Sequence, residues 1–211
     1  MAKCEESIQR IKAEIGKLFA HKDMGALSFL LGIEIKRKSQ NQRQGFQINQ
    51  TSSIERTLNR LGSLYAFTPK NTPLKFGDRL LLGSGSASEE HTSNFQSAIG
   101  SLLYFSRMTR PDISASVNIL GRFSSNPDKS HIDALSHLLG CLERTKDHVL
   151  KIEFSDTNAY EIVGYTDSDW AGDLNDRKST SGYDIRIGKN QVSRGSQKQY
   201  RVALSQWIPS S

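Results

Sequence analysis

The sequence predicts an α+β chain in the order helix, hairpin, helix, loop, helices, then a sheet. Three observations predict it. Apolar residues recur at three- and four-residue spacing near the N-terminus and again from Phe95 to about Lys146, the period of an amphipathic helix. After Val149 the period falls to two, through VLKIEF, YEIVGYTD, SGYDIRIG and QVSRG. Between these regions, residues 68 to 93 hold Pro69, Pro73 and GSGSASEE, the composition of a linker or exposed loop.

Taken in order, residues from about 5 to 22 form the first helix, with Ile8, Ile11, Ile15, Leu18 and Phe19 on one face. LSFLLGIEIKRK, Leu27 to Lys38, reads as one strand. SQNQRQG is a polar turn, and FQINQ returns, so a hairpin is expected. In TSSIERTLNRLGS, Ser52 or Ser53 is placed to cap a helix whose apolar face is Ile54, Leu58 and Leu61, and Gly62 stops it. A helix runs on from Phe95. It breaks at TRPDI, because Pro111 disfavours helix at Arg110. Asp112 is placed to cap the next helix, and Ser130 or His131 opens a third.

The 211 residues suffice for one large domain or two small ones, with a buried core. The hydrophobic fraction of 36% is low for a compact enzyme, so exposed apolar segments are expected. The formal charge of +6 favours an anionic partner such as nucleic acid. Cys4 and Cys141 lie far apart without CxxC spacing, which indicates neither zinc nor a disulfide framework and points to a reducing, intracellular setting. His137 and Cys141 share a helix face, but a third and fourth zinc ligand are lacking. The N-terminus has no apolar signal region, and no stretch reaches membrane-spanning length, so no membrane partner is expected. There is neither a GxSxG elbow nor a phosphate-binding glycine loop.

Six blocks stand in a fixed order: MGALSFLLGIEI with FQINQTSSIERTLNRLG, NTPL, IGSLLYFSRMTRPDISASVNILGRFSSNP, His131 with its helix, GYTDSDWAGDLNDRKSTSGY, and SQKQYRVALS. In that order they resemble the polyprotein of Ty1/copia-type retrotransposons, over roughly residues 5 to 205. The resemblance implies a division into four parts. Residues 1–67 are the end of a reverse-transcriptase palm with its primer-gripping hairpin and the start of the thumb, and 68–94 are a linker. Residues 95–147 are a helical connection, and 148–211 are the opening, incomplete sheet of an RNase H-like domain. The ancestral partner would be an RNA–DNA hybrid and the ancestral cofactor Mg2+. Near the hairpin tip, Lys36, Arg37, Lys38 and Arg43 are candidates for weak, sequence-independent phosphate contacts.

In an RNase H type of site, acidic side chains hold two divalent metals that activate water. Asp167 follows an alternating run and resembles the family's first catalytic aspartate. Asp169 would share its face if the strand continued. Asp173 and Asp176 read as turn residues. The family's next ligands fall in a segment that usually reads ALSSTEAEY. Here it reads ALSQWIPSS, so Ile208 and Ser210 stand at the two glutamates with Pro209 between them. The polymerase Tyr-x-Asp-Asp motif is not in the chain. The expectation is therefore a truncated, degenerate copy, non-catalytic by itself, with no stably bound cofactor. Two alternatives remain: part of a longer or split product with RNase H or RNA-directed DNA polymerase activity, and a co-opted nucleic-acid-binding or host-interaction protein. Three departures from the family add structural expectations. Gly140 weakens its helix, Arg194 on a core-facing strand position needs a partner or an exposed setting, and the sheet from Val149 to Gly195 should have one uncovered face.

Overall fold

In α1, Ala2–Leu18, the apolar stripe Ile8, Ile11 and Ile15 forms as the spacing predicts, yet it stays exposed. The helix stops short of Lys22 because Asp23 folds the chain back. One Asp23 oxygen pairs with Lys12 at 2.8 Å and the other accepts the Gly25 N–H. The computed structural model describes residues 2–40, 43–75, 77, 80–83, 85, 87–154 and 161–202. Ile208, Pro209 and Ser210, with the departure they carry, lie outside these residues.

The apolar run Leu27–Lys38 is not one strand. β1, Phe29–Leu30, turns directly into β2, Ile33–Gln40. Leu31 and Gly32 have φ of 50° and 77°, the two positive values that a two-residue primed turn requires. β3, Arg43–Asn49, begins earlier than expected, and Gly45 lies inside it. A Cβ on Gly45 would come within 2.5 Å of the Ile152 carbonyl oxygen, so glycine there lets another strand close in. That strand is β4, Leu150–Glu153, which pairs antiparallel with β3. The sequence placed these residues at the start of the C-terminal sheet. Their pairing puts them with the hairpin, because the register sets Leu150 opposite Ile48 and Ile152 opposite Phe46 on one apolar face. Phe154 meets Phe46 edge to face at 5.7 Å.

The core lies among the helices. α2 is Thr51–Gly62, α3 is Glu89–Met108, α4 is Ser114–Gly121 and α5 is Lys129–Arg144, with a 3-10 turn at Pro111–Ile113. Ile54 and Leu61 of α2, Phe95 and Leu102 of α3, Leu120 of α4 and Leu138 of α5 are fully buried together. Each such side chain contributes about 1.5–3 kcal/mol relative to exposure. α3 begins at Glu89 rather than Phe95, because the Ser88 side chain accepts the His91 N–H and two glutamates suit the first turn. The expected caps on α2 and α4 are not made. Ser53 donates instead to the Gly32 carbonyl, and Asp112 pairs with Arg110. α5 is capped by Asp128, whose carboxylate accepts the Ser130 and His131 N–H groups while the His131 ring accepts the Asp128 N–H.

β5, Ile162–Ser168, β6, Thr180–Ile187, and β7, Asn190–Lys198, form a second antiparallel sheet in that order. Asn190 joins the two sheets, accepting the Glu153 N–H and donating to the Glu153 carbonyl. Against the helices, Asn118 donates to the Ser196 carbonyl at 3.0 Å. Arg194 finds the partners its position requires: Nη2 donates to the Ser106 and Arg107 carbonyls at the end of α3, and Nη1 donates to Gln191. On the sheet, Ile162, Tyr165, Tyr183 and Ile185 are exposed.

Candidate metal centre and nucleic-acid interface

Asp167 lies on β5 opposite Gly182 of β6, and its side chain is exposed to solvent. Its Oδ1 accepts the N–H of the next residue, Ser168, at 2.8 Å. β5 ends at Ser168, so Asp169 is not carried onto the same strand face. Asp169 instead closes a loop. Its Oδ1 accepts the Thr180 N–H at 2.6 Å, and its own N–H donates to the Thr180 carbonyl. Gly172 packs against the Asp169 carboxylate, and a Cβ there would collide with it.

The turn between β5 and β6 holds a different arrangement. The Asp173 side chain is buried, and its Oδ2 meets Arg122 at 3.2 Å and Lys198 at 2.5 Å. Its Oδ1 accepts from the Asn175 backbone and side chain. Lys198 also reaches Asp176 at 2.9 Å, and Arg122 donates to the Thr180 hydroxyl. Burial pushes the Asp173 carboxyl up, but the hydrogen bonds from Lys198 and Asn175 and the Lys198 charge outweigh it and hold it at about 2. Asp184 is engaged too: burial raises its carboxyl, and hydrogen bonds from Gln191 and Arg186 bring it below the usual range.

Magnesium takes hard oxygen ligands in near-octahedral geometry, so a site needs carboxylates that converge. Among the described residues, no group of three His, Cys, Asp or Glu side chains is placed to hold a metal ion. Asp169 is tied to a backbone N–H, and Asp173 to two cations. The described residues do not fit a two-metal centre.

The hairpin cations divide between two faces. Lys36 and Lys38 alternate with Arg37, and the register sets Lys36 beside Gln47, which in turn faces Lys151 on β4. Lys36 pairs with Glu34 at 3.3 Å, and Lys38 is exposed. Arg37 lies on the apolar face, its guanidinium 6.0 Å from the Phe46 ring centroid. The backbone of Arg43 opens β3 opposite Gln40. Lys36 and Lys38 therefore do not share a patch with Arg37, an outcome that strand alternation alone allows one to foresee; the Arg43 side chain lies outside the described residues.

The sequence blocks are matched in known proteins. The chain is 34% identical over 203 residues to a retrovirus-related Pol polyprotein from transposon TNT 1-94 of Nicotiana tabacum, covering 94% of this chain and 15% of that one. It is 32% identical over 192 residues to an uncharacterized mitochondrial protein of Arabidopsis thaliana, 91% of this chain and 76% of the other. The chain belongs to the retrotransposon Pol polyprotein family. A third relative, secreted RxLR effector protein 161 of Plasmopara viticola, is 42% identical over 111 residues, 53% of this chain and 77% of that protein. No protein-family profile and no solved structure matches. Within this Pol family chain, the TRPDI block forms a buried junction. Arg110 is 1% exposed, and both its edges are occupied, by Asp112 and by the Thr145 carbonyl and hydroxyl at the end of α5. Among the described residues, no helix is long and apolar enough to cross a membrane.

The sequence did not single out Arg122 and Lys198. Their only signal was a basic residue on a helix and another on a strand, and nothing in their spacing linked them to Asp173.

Proposed function

We propose that the chain is a degenerate stretch of a copia-type polyprotein, spanning thumb, connection and the opening of an RNase H-like sheet, which holds nucleic acid weakly and does not cleave it. The observation that carries this reading is the engagement of Asp169. Its carboxylate accepts the Thr180 N–H and anchors the start of β6, so it serves the fold rather than a metal. Two-metal hydrolysis needs several carboxylates around a pair of ions, and Asp167 alone supplies one. Mg2+ would keep most of its waters and leave readily.

Binding rests on charge. The +6 excess and the exposed Lys36 and Lys38, on the face that also carries Lys151, favour a phosphate backbone without reading sequence. Affinity for a labelled RNA–DNA hybrid, followed by fluorescence anisotropy, should fall steeply with salt. Substituting Lys36, Arg37 and Lys38 together by Ala should flatten that dependence. Binding that is indifferent to salt sinks this proposal.

A second reading, a co-opted interaction protein, draws on the likeness to the RxLR effector protein, of which this chain covers 77%. It requires an autonomous fold. A single cooperative thermal transition of the purified chain supports it, and a broad non-cooperative melt counts against it.

A further inference from the structure

The C-terminal sheet has the order β5–β6–β7, so among the described residues β5 has a neighbour on one side only. Just beyond its ends, the Asp169 N–H bonds to the Thr180 carbonyl and the Glu161 carbonyl accepts the Gly188 N–H. Antiparallel hydrogen bonding alternates along a strand. Val163, Tyr165 and Asp167 therefore bond to β6, and Ile162, Gly164, Thr166 and Ser168 turn their N–H and C=O groups outward. Asp167 takes the Ser168 N–H. A free strand edge is a template for another strand, and folds blunt it with brevity, charge, proline or a cover. The other edges here are blunted. β1 has two residues. β4 carries Lys151 and Glu153, and Asn190 takes the Glu153 N–H and carbonyl. β7 carries Arg194 and Lys198, and Asn118 of α4 takes the Ser196 carbonyl. β5 reads IVGYTDS, without lysine, arginine or proline, and six of its seven residues are exposed.

The strand is also complementary to itself. About a two-fold axis at Tyr165, antiparallel pairing sets Gly164 opposite the partner's Thr166, and the two exchange both outward hydrogen bonds. Val163 then stands opposite the partner's Asp167 and Ile162 opposite the partner's Ser168, so the whole strand is paired and no like charges face each other. On β5 and β6, Val163 and Tyr165 share a face with Arg186 and Asp184. The partner's Asp167 enters the row of Val163 and Arg186, which brings an exposed carboxylate toward a guanidinium held 5.5 Å from the Tyr165 ring centroid. Ile162 and Tyr165, 71% and 56% exposed, gain apolar neighbours across the axis. A register that set the two Asp167 side chains opposite each other would repel and pair fewer residues.

We propose that β5 is a self-association edge, through which two copies of this chain pair antiparallel over Ile162–Ser168 and join their C-terminal sheets into one. This does not depend on the nucleic-acid reading above. Sedimentation velocity of the full chain over a concentration series should show a monomer–dimer equilibrium. Thr166→Pro removes an N–H that β6 does not use, so the dimer should be lost while the thermal melt stays near that of the unmodified chain. Thr166→Lys keeps the N–H but charges the edge, and should abolish the dimer too if the proline variant fails to fold. Tyr165→Cys reads the register. The two Tyr165 Cα atoms would stand about 4.5 Å apart, within disulfide reach, so mild oxidation should trap a covalent dimer that the unmodified chain, with Cys4 and Cys141, does not give. In hydrogen exchange, the Gly164 and Thr166 amides should be protected only at high concentration, and those of Val163 and Tyr165 at every concentration. A monomer throughout the series overturns the proposal. So does protection of Gly164 and Thr166 in the monomer, which would mean that the chain covers this edge itself. A dimer that persists in Thr166→Pro and is not trapped in Tyr165→Cys uses another surface and also overturns it.

Discussion

Asp173 and Arg110 show how individual charges are used in this chain. Asp173 has an ordinary carboxyl value of 3.8 and is held at about 2 in the fold. A lowered carboxyl favours the fold fully above its unfolded value, and that contribution disappears as pH falls through the folded value. Stability should therefore decline between about pH 4 and pH 2, with Asp173 accounting for on the order of 1–2 kcal/mol after allowance for screening. Asp173→Asn should remove that part of the acid transition in a pH-dependent urea titration. An unchanged transition would show that the Arg122 and Lys198 contacts do not hold the sheet. Arg110 gives a larger effect at neutral pH. Arg110→Met leaves the Thr145 carbonyl without its donor, while Asp112, half exposed, can rehydrate. The expected loss is about 2–3 kcal/mol by chemical denaturation. Arg110→Lys should recover only part of it, because an ammonium cannot make the fork. The sequence marked TRPDI as a break but not as a junction, since the partner Thr145 lies 35 residues away.

At the scale of elements, periodicity was legible and local polar chemistry was not. Ile54, Leu58 and Leu61 are buried as their spacing demands, and the helices fall in the expected order. Caps were misplaced where a polar side chain had a stronger distant partner, as Ser53 with Gly32 and Asp112 with Arg110. On propensity alone, Gly140 is a weak point in its helix. The structure gives it a purpose. The Thr68 carbonyl lies where a Cβ would go, and the Lys70 N–H donates to the Gly140 carbonyl at 3.1 Å. Helix propensity favours Gly140→Ala by about 1 kcal/mol, whereas forcing two packed backbones apart costs about 1–3 kcal/mol. Gly140→Ala should therefore lower the melting temperature. A rise would mean that the 68–70 segment moves aside without penalty.

Across the whole molecule, Asp169 and Asp173 are engaged by the fold, while Asp167 is exposed and meets only the Ser168 N–H. The C-terminal sheet is fastened to the helices by Arg122, Asn118 and Arg194 and to the hairpin sheet by Asn190. Of its aspartates, Asp173 takes part in that fastening, through Arg122. The fold class was readable because alternation and helical spacing are local. The grouping of β4 with the hairpin was not, because pairing between residues about a hundred positions apart leaves no local trace. The fate of the acidic cluster was likewise hidden, since Asp169 differs from a metal ligand only in where its oxygen points. The central claim is that this cluster supports the sheet and does no chemistry. Its most direct test is incubation of the purified chain with an RNA–DNA hybrid in Mg2+, alongside Asp167→Asn. The account predicts intact RNA with both proteins. Metal-dependent cleavage by the unmodified chain that is lost in Asp167→Asn would contradict it and make the protein an enzyme.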